Sequence, residues 1–577
     1  MVFFSLFVYT PAHKYTCIWI CVVILKAEDV RGQALDHLGI VASVIERLKL
    51  VEKIDSRIPV SKNKGAKTTM GQRVAAMILN GLGFTDDRLY LFPEFLKNKP
   101  VERLLGKGLT ASDFNDDATG RCLDSITDYG TTPFFTEIAF EVGIAENLLG
   151  PSAHFDTTSL NVFGEYDVDL PVDAQSSADD EIPFEITYGH SKDHRPDLKQ
   201  MILNLATTGP GFPVWMEAHS GNASDKTILQ AGASRMREFC KQLKSAPSFL
   251  YVGDSAFYER CVKERVEFKW LSRVPERLNE TKKWVGMPDD TFTWTALNDG
   301  YKMTPLPEAV YGDVEQRWIM IHSEKAAFRE SKTLEKNIQK EKDATEKMLW
   351  HLGNKVFKCA HDAEAALHKD IKKIKYHQVT WELEQIEKHT GRGRPKQDAS
   401  PVTVGFRIKS VIEQDTKQIE LIKRSKGRFV LASNELDESK LSEHKFLSEY
   451  KQQYKTEQGF AFIKGDTFVV SSIFLKKPSR IQSLMVVMTL CLMVYSFAQH
   501  HLRQALTEAN DSIPDQLKKP TQKPTMAWVF RLFQGIQVWL IPSGNAVQEL
   551  VVNLNAITKR VISYFGTTAE EIYALSG

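Results

Sequence analysis

The residues best suited to chemistry lie near position 450, in SEYKQQYKTEQGFAFIKG. Tyr450, Gln453, Glu457 and Lys464 follow one another at intervals of three, four and seven positions, which on a helix puts all four along one stripe. Such a stripe sets one carboxylate beside a tyrosine and a lysine, groups suited to a phosphate backbone. An amphipathic helix with buried aromatic residues and charges at its edges carries the same pattern. Two further acids stand on or after strands. In SFLYVGDSAFY, Phe249 to Val252 reads as a short apolar strand, and Gly253 lets the backbone turn so that Asp254 emerges at its carboxyl end. Open α/β sheets place functional groups there, and turn-forming acids are common at the same place. In HFDTTS, Asp156 follows Phe155 on a strand and is flanked by hydroxyl residues. Taken alone, it reads as an acid bonding local backbone.

Basic residues cluster in three places. GHSKDHRPDLK packs Lys192, His194, Arg195 and Lys199 beside Asp193 and Asp197. These groups can grip phosphates, or form a polar turn between two strands. His194 is read as a hydrogen-bonding residue, not a metal ligand. TGRGRPK carries Arg392 and Arg394. An extended Arg-Gly-Arg-Pro suits a narrow A·T-rich minor groove, and a solvated basic linker has the same composition. Lys476, Lys477 and Arg480 precede a long apolar run and can contact DNA or cap the segment before it.

These residues need elements to hold them. A chain of 577 residues exceeds one compact core and predicts about two to four domains. With 42% hydrophobic and 25% charged residues the composition is that of a globular protein, and disorder is not the default. Lys and Arg number 74 against 73 Asp and Glu, so any nucleic-acid site must be a local basic patch. Seven scattered cysteines form neither a disulfide framework nor a paired zinc set and fit a reducing cytoplasm. The leader MVFFSLFVYTPAHKYTCIWICVVILK lacks the basic start and cleavage site of a signal peptide. A start codon placed too far upstream explains it. Ile481 to Ala498 is barely long enough to span a bilayer and reads as a helix buried in a large core.

Residues 33–128 predict short helices, in ALDHLGIVASVIERLKLVEKI, in MGQRVAAMILNGLGF and over Asp113 to Leu123. From about 150 the texture turns to strands: SAHFDTTSLNVF, PFEITYGH, MILNLATT, FPVWMEA, SFLYVGD and VEFKWLSRV. A helix over ASDKTILQAGASRMREFCKQLKS lies among them, which predicts an α/β core. A charged helical tract from Ser323 to about Lys347 falls inside a block that interrupts this pattern, and helical texture returns over Lys440 to Leu502.

The spacing of tyrosine, polar residue, glutamate and lysine resembles the Y-R-E-K signature of bacterial insertion-sequence transposases, the cut-and-paste group with a DDE catalytic triad. The blocks HFDTTS, YGHSKDHRPDLKQ, SGNASDKT, YVGDSAFY, RFVLASNELDE and FLKKPSRIQSLMVVMTLCLMVYS resemble this group's, in its order, and the resemblance spans roughly residues 33 to 560. It implies an α/β fold with a ribonuclease H-like core, interrupted by a large insertion and preceded by an all-helical DNA-binding module. The implied boundaries are a leader at 1–32, the helical module at 33–130, the core at 150–275 and 441–505, the insertion at 276–440 and a C-terminal region at 506–577. Asp156, Asp254 and Glu457 then match the triad. Gln453 stands where the signature has arginine, keeping a hydrogen-bond donor and losing a charge. Tyr450, Gln453, Lys464, Lys192, Arg195, Arg392 and Arg394 become the candidate DNA contacts. Related transposases stack a flipped base on an aromatic residue of the insertion, where Trp294 and Trp318 both lie.

The implied cofactor is a pair of Mg²⁺ ions, with Mn²⁺ able to substitute. Magnesium prefers oxygen ligands, and two ions about 3.5–4 Å apart can clamp the attacking and leaving oxygens of an in-line displacement. The implied partner is double-stranded DNA, both transposon ends and target, bound by a homodimer or higher multimer in the cytoplasm beside the nucleoid, with no membrane. A decayed DNA-binding relic and a ribonuclease H-like nuclease without strand transfer are the alternatives.

Overall fold

The structure, a computed structural model, describes residues 2–9, 15–22, 30–60, 67–83, 92–164, 166, 184–243, 247–307, 309–389, 400, 402–465, 475, 477–543 and 546–575. The chain forms two compact units. One comprises Met1–Arg260 with Lys451–Gly577, the other Cys261–Tyr450.

The first unit is built on four strands, β1 (Ser152–Val162), β2 (Lys199–Thr208), β3 (Phe212–Ser220) and β4 (Leu250–Gly253). They lie side by side in the order β3-β2-β1-β4. β1 pairs antiparallel with β2, β2 antiparallel with β3, and β4 parallel with β1. β1 and β2 are covered on both faces, so neither shows a clean polar–apolar alternation. Helix α1 (Asp225–Gln242) packs on β1 and β2 through Ile228, Leu229, Gly232, Ala233 and Met236. Helix α2 (Tyr454–Ile463) also packs on β1 and β2, and on α3 (Pro478–Glu508).

Helix α3 begins with Pro478 in its first turn, and its middle, from Met485 to Val494, is apolar and buried on every side, the mark of a helix enclosed by others. It is long and apolar enough to cross a membrane, and 78% of its most apolar window is buried inside the protein. Around it pack helices Leu38–Arg47, Met70–Gly81, Asp116–Tyr129 and Thr131–Ala145. The helical spacing over residues 34–54 is carried by two short helices, Leu38–Arg47 and Leu50–Arg57, with Lys49 in the left-handed region at φ 51° between them. The turn lets Leu48 and Leu50 both reach the core. PFEITYGH is not a strand: it contributes one isolated bridge, Thr187 to Gln200.

In the second unit, strands Trp270–Arg273, Arg428–Ser433, Val314–Ser323, Tyr301–Pro305 and Thr295–Leu297 lie in that order. The charged tract is a helix over Glu324–Gly353, capped by the Ser323 hydroxyl. It packs with helix Ala360–Ile371 against a long hairpin, His377–Lys388 and Val402–Gln414.

Candidate active site

Strand register decides where the first two acids stand. On β1 and β4, His154 pairs with Val252. Asp156 follows His154 by two residues on β1, and Asp254 follows Val252 by two, one residue past the end of β4. Alternation decides the face. Asn204 of β2 points toward α1, since a Cβ on Gly232 would come within 2.3 Å of its Nδ2. Leu205 therefore points to the opposite face, where a Cβ on Gly459 of α2 would lie 3.5 Å from its Cδ2. Asp156 sits directly opposite Leu205, and such pairs share a face. Asp156 thus faces the side of the sheet that α2 covers, and α2 carries Glu457.

Each acid is held by its own surroundings. Asp254 caps helix Ser255–Lys263, its Oδ1 accepting from the N–H groups of Ala256 (2.9 Å) and Phe257 (3.3 Å). A carboxylate is favoured at that end of a helix. Gly253 makes the turn possible, because a Cβ there would lie 2.6 Å from the Phe257 ring. Asp156 Oδ1 accepts from the Thr157 N–H at 2.7 Å. Glu457 is exposed in the first turn of α2, and its neighbours seat the helix. Thr456 is fully buried. Its hydroxyl donates to the His154 carbonyl at 3.1 Å and lies 2.7 Å from the Thr207 hydroxyl. The Gln453 amide is 3.5 Å from the Phe155 carbonyl. The two carbonyls that immediately precede Asp156 are therefore the ones α2 grips.

Burial pushes the Asp156 carboxyl up to about 6. The Lys192 ammonium and the Thr157 N–H oppose that shift, while the charges of Asp254 and Glu457 add to it. The charges of both other acids thus reach Asp156. Among the described residues no three His, Cys, Asp or Glu side chains stand close enough together to hold one ion. The donors nevertheless suit a hard divalent cation in kind. All are carboxylates, and the push that Asp254 and Glu457 exert on Asp156 is what such a cation relieves. The third ligand requires the exposed Glu457 side chain to swing toward the strands.

The other sequence candidates divide. Lys192 Nζ bonds the Thr157 carbonyl at 2.6 Å and its hydroxyl at 2.8 Å, and pairs with Asp225 at 3.2 Å. Lys464 is bound by both Asp193 oxygens, at 2.8 and 2.9 Å, and Asn161 holds the same carboxylate. Arg195 is exposed and bonded to Asp197. His194 is exposed, with a left-handed φ of 58°. Gln453 is buried rather than turned outward. The predicted single helix through Tyr450 and Lys464 is broken: one helix ends at Lys451, and α2 begins at Tyr454. Between them Lys455 N bonds the Gln452 carbonyl and Thr456 N the Gln453 carbonyl, three-residue steps that tighten the turn. Tyr450 belongs to the second unit. Trp318 is core, its indole N–H on Gln316. Trp294 is half-buried with Lys302 Nζ 4.5 Å from its ring centre. Arg480 is paired with Asp124. Arg392, Arg394 and Lys476 lie outside the described residues.

Sequence reasoning missed Thr456 and Thr207. The MILNLATT and TEQGF runs contain these hydroxyls, but only the packing of α2 on β2 shows that they meet.

Residues 30–140 match a family described as a domain of unknown function, DUF4277. No curated protein matches the chain. The DUF4277 region runs from strand Arg31–Ala34 into helix Thr131–Ala145 and ends before β1. It contains none of the three acids.

Proposed function

We propose that the chain is a DDE transposase, with Asp156, Asp254 and Glu457 as metal ligands for cleavage and joining of DNA at the ends of an insertion sequence. The observation that carries this reading is the parallel pairing of β1 with β4 up to His154 and Val252, each two residues before an acid, together with the charge of Asp254 acting on Asp156. A sheet with three antiparallel strands and a parallel fourth, covered on both faces by helices, supports a ribonuclease H-like core. The long unit between the second and third acids fits the insertion of that group. Double-stranded DNA is the substrate, and a homodimer or higher multimer would hold two ends together.

Bound divalent ions would supply Lewis acidity at the scissile phosphate and offset the charge of the acids. The chain's own residues do the positioning. Asp254 is aimed by the two helix N–H groups on its Oδ1, and Asp156 by the Thr157 N–H. Glu457 rides on a helix clasped to β1. Lys192 and Lys464 are each held by an aspartate that a DNA phosphate can replace.

The test is a cleavage and strand-transfer assay with Mg²⁺ or Mn²⁺ on DNA carrying the inverted repeats that flank the gene. Wild type is expected to cut and join, and Asp254→Ala to bind the same DNA without cutting it. An Asp254→Ala protein that still cleaved would sink the assignment.

A further inference from the structure

Glu457 is the least anchored of the three acids. It is exposed, and among the described residues no hydrogen bond or ion pair holds its carboxylate. Its position therefore depends on how α2 is seated. The helix starts after a tightened turn at Gln452 and Gln453 rather than continuing the helix before it. What ties its first turn to the sheet is one residue away from Glu457. The Thr456 hydroxyl gives its proton to the His154 carbonyl at 3.1 Å. Thr207, 2.7 Å away, must then be the donor in the hydroxyl pair. Both threonines are buried, at 0% and 1% exposure, so neither can turn to water instead. His154 is two residues before Asp156 on the same face of β1. The clasp therefore fixes the backbone of Glu457 directly against the backbone that carries Asp156.

We propose that Thr456 and Thr207 are positioning residues, a buried hydroxyl pair that sets the distance between Glu457 and Asp156 and so the readiness of the site to close on a divalent ion. The inference rests on the metal site proposed above and goes one layer outward from it. Residues that orient a ligand without touching the ion commonly govern metal affinity. Phe460 and Ile463 bury α2 through its later turns, so the helix can persist when the clasp is lost. Its first turn, with Glu457, is what would drift.

Mn²⁺ binding to the full-length protein, read from the electron paramagnetic resonance signal of free ion, tests this without any DNA. Wild type is expected to bind Mn²⁺ at a site that Asp156→Asn loses. Equal binding by Asp156→Asn would overturn the metal site itself. Given that site, Thr456→Val keeps the shape and removes the hydroxyl, and affinity is expected to fall about tenfold. Thr456→Ser keeps the hydroxyl and is expected to stay within about twofold of wild type. Wild-type affinity in Thr456→Val, or an equal loss in Thr456→Ser, would overturn the clasp while leaving the metal site standing. Should Thr456→Val fail to fold, Thr207→Val carries the test. It keeps the bond to His154 and removes the second hydroxyl, so an intermediate loss is expected, and wild-type affinity there would overturn the clasp equally.

Discussion

Burial pushes the Asp156 carboxyl up to about 6, and the charges of Asp254 and Glu457 strengthen that push against Lys192. The folded state thus favours the neutral acid over its ordinary value of 3.8. Stability from this group is complete below about pH 4 and is lost as pH rises through about 6. Asp156→Asn is therefore expected to stabilise the metal-free protein at pH 7.5 by about 1–3 kcal/mol. The gain should shrink to nothing below about pH 4. Thermal melts across pH check this, and a variant melting at or below wild type at pH 7.5 would contradict it. Glu217 behaves in the opposite sense. Burial pushes it up, but hydrogen bonds from His219 and Arg235 outweigh burial and bring it down to about 2. Its contribution is present above about pH 4.5 and is lost as pH falls through about 2. Glu217→Gln is expected to cost on the order of 1–3 kcal/mol at pH 7, discounted because Arg235 is half exposed. The cost should close in strong acid. Asp156 and Asp254 were legible as acids on or after strands, because apolar runs and Gly253 mark the turns. Glu217 was not singled out, since nothing local distinguishes a glutamate that faces Arg235 on a later helix.

Among elements, β1 to β4 and α1 could be read from their apolar runs and helical spacing, because each is long or bounded by turn residues. The pairing of β1 with β4 could not, since it joins segments nearly a hundred residues apart. Helix Thr131–Ala145 also escaped notice. It is apolar on nearly every side, so it lacks the stripe that marks an amphipathic helix. The break at Gln452 and Gln453 has no proline or glycine to announce it, and we have no local account of it. The segment between β1 and β2 carries a contact that bears on the proposed DNA binding. Asp193 occupies Lys464 with both carboxylate oxygens, so a phosphate bound there under the proposed function would have to displace it. Asp193→Asn is expected to raise DNA affinity about two- to fivefold at low ionic strength, with the gain fading as salt rises. Fluorescence anisotropy against salt reads this directly, and weaker binding by the variant would show that Asp193 supports the DNA face instead of blocking it.

At the scale of the molecule, the DUF4277 region does not stand alone within the first unit. Strand Arg31–Ala34 pairs with Gln537–Ser543 of the C-terminal hairpin. The N–H groups of Leu35 and Asp36 both bond the Ile536 carbonyl. His37 stacks on Phe530 with ring centres 4.2 Å apart, and burial pulls its pKa down to about 4. The Tyr573 hydroxyl bonds the Asp36 carbonyl at 2.6 Å. Removal of residues 526–577 is expected to uncover Leu35 and His37 and to speed amide exchange throughout helices Leu38–Arg47 and Met70–Gly81. Unchanged protection in those helices would show that the N-terminal region folds without the C-terminus. Composition and helical texture could not show this union, because the segments that make it lie at opposite ends of the chain.

The central claim is that three acids drawn from distant parts of the chain form one cation site. Crystals soaked in Mn²⁺ and measured at the manganese edge test it most directly. The account expects an anomalous peak about 2.0–2.2 Å from carboxylate oxygens of Asp156 and Asp254, with the Glu457 side chain turned toward it. No peak between those strands at millimolar Mn²⁺, or one that persists unchanged in Asp156→Asn crystals, would contradict it.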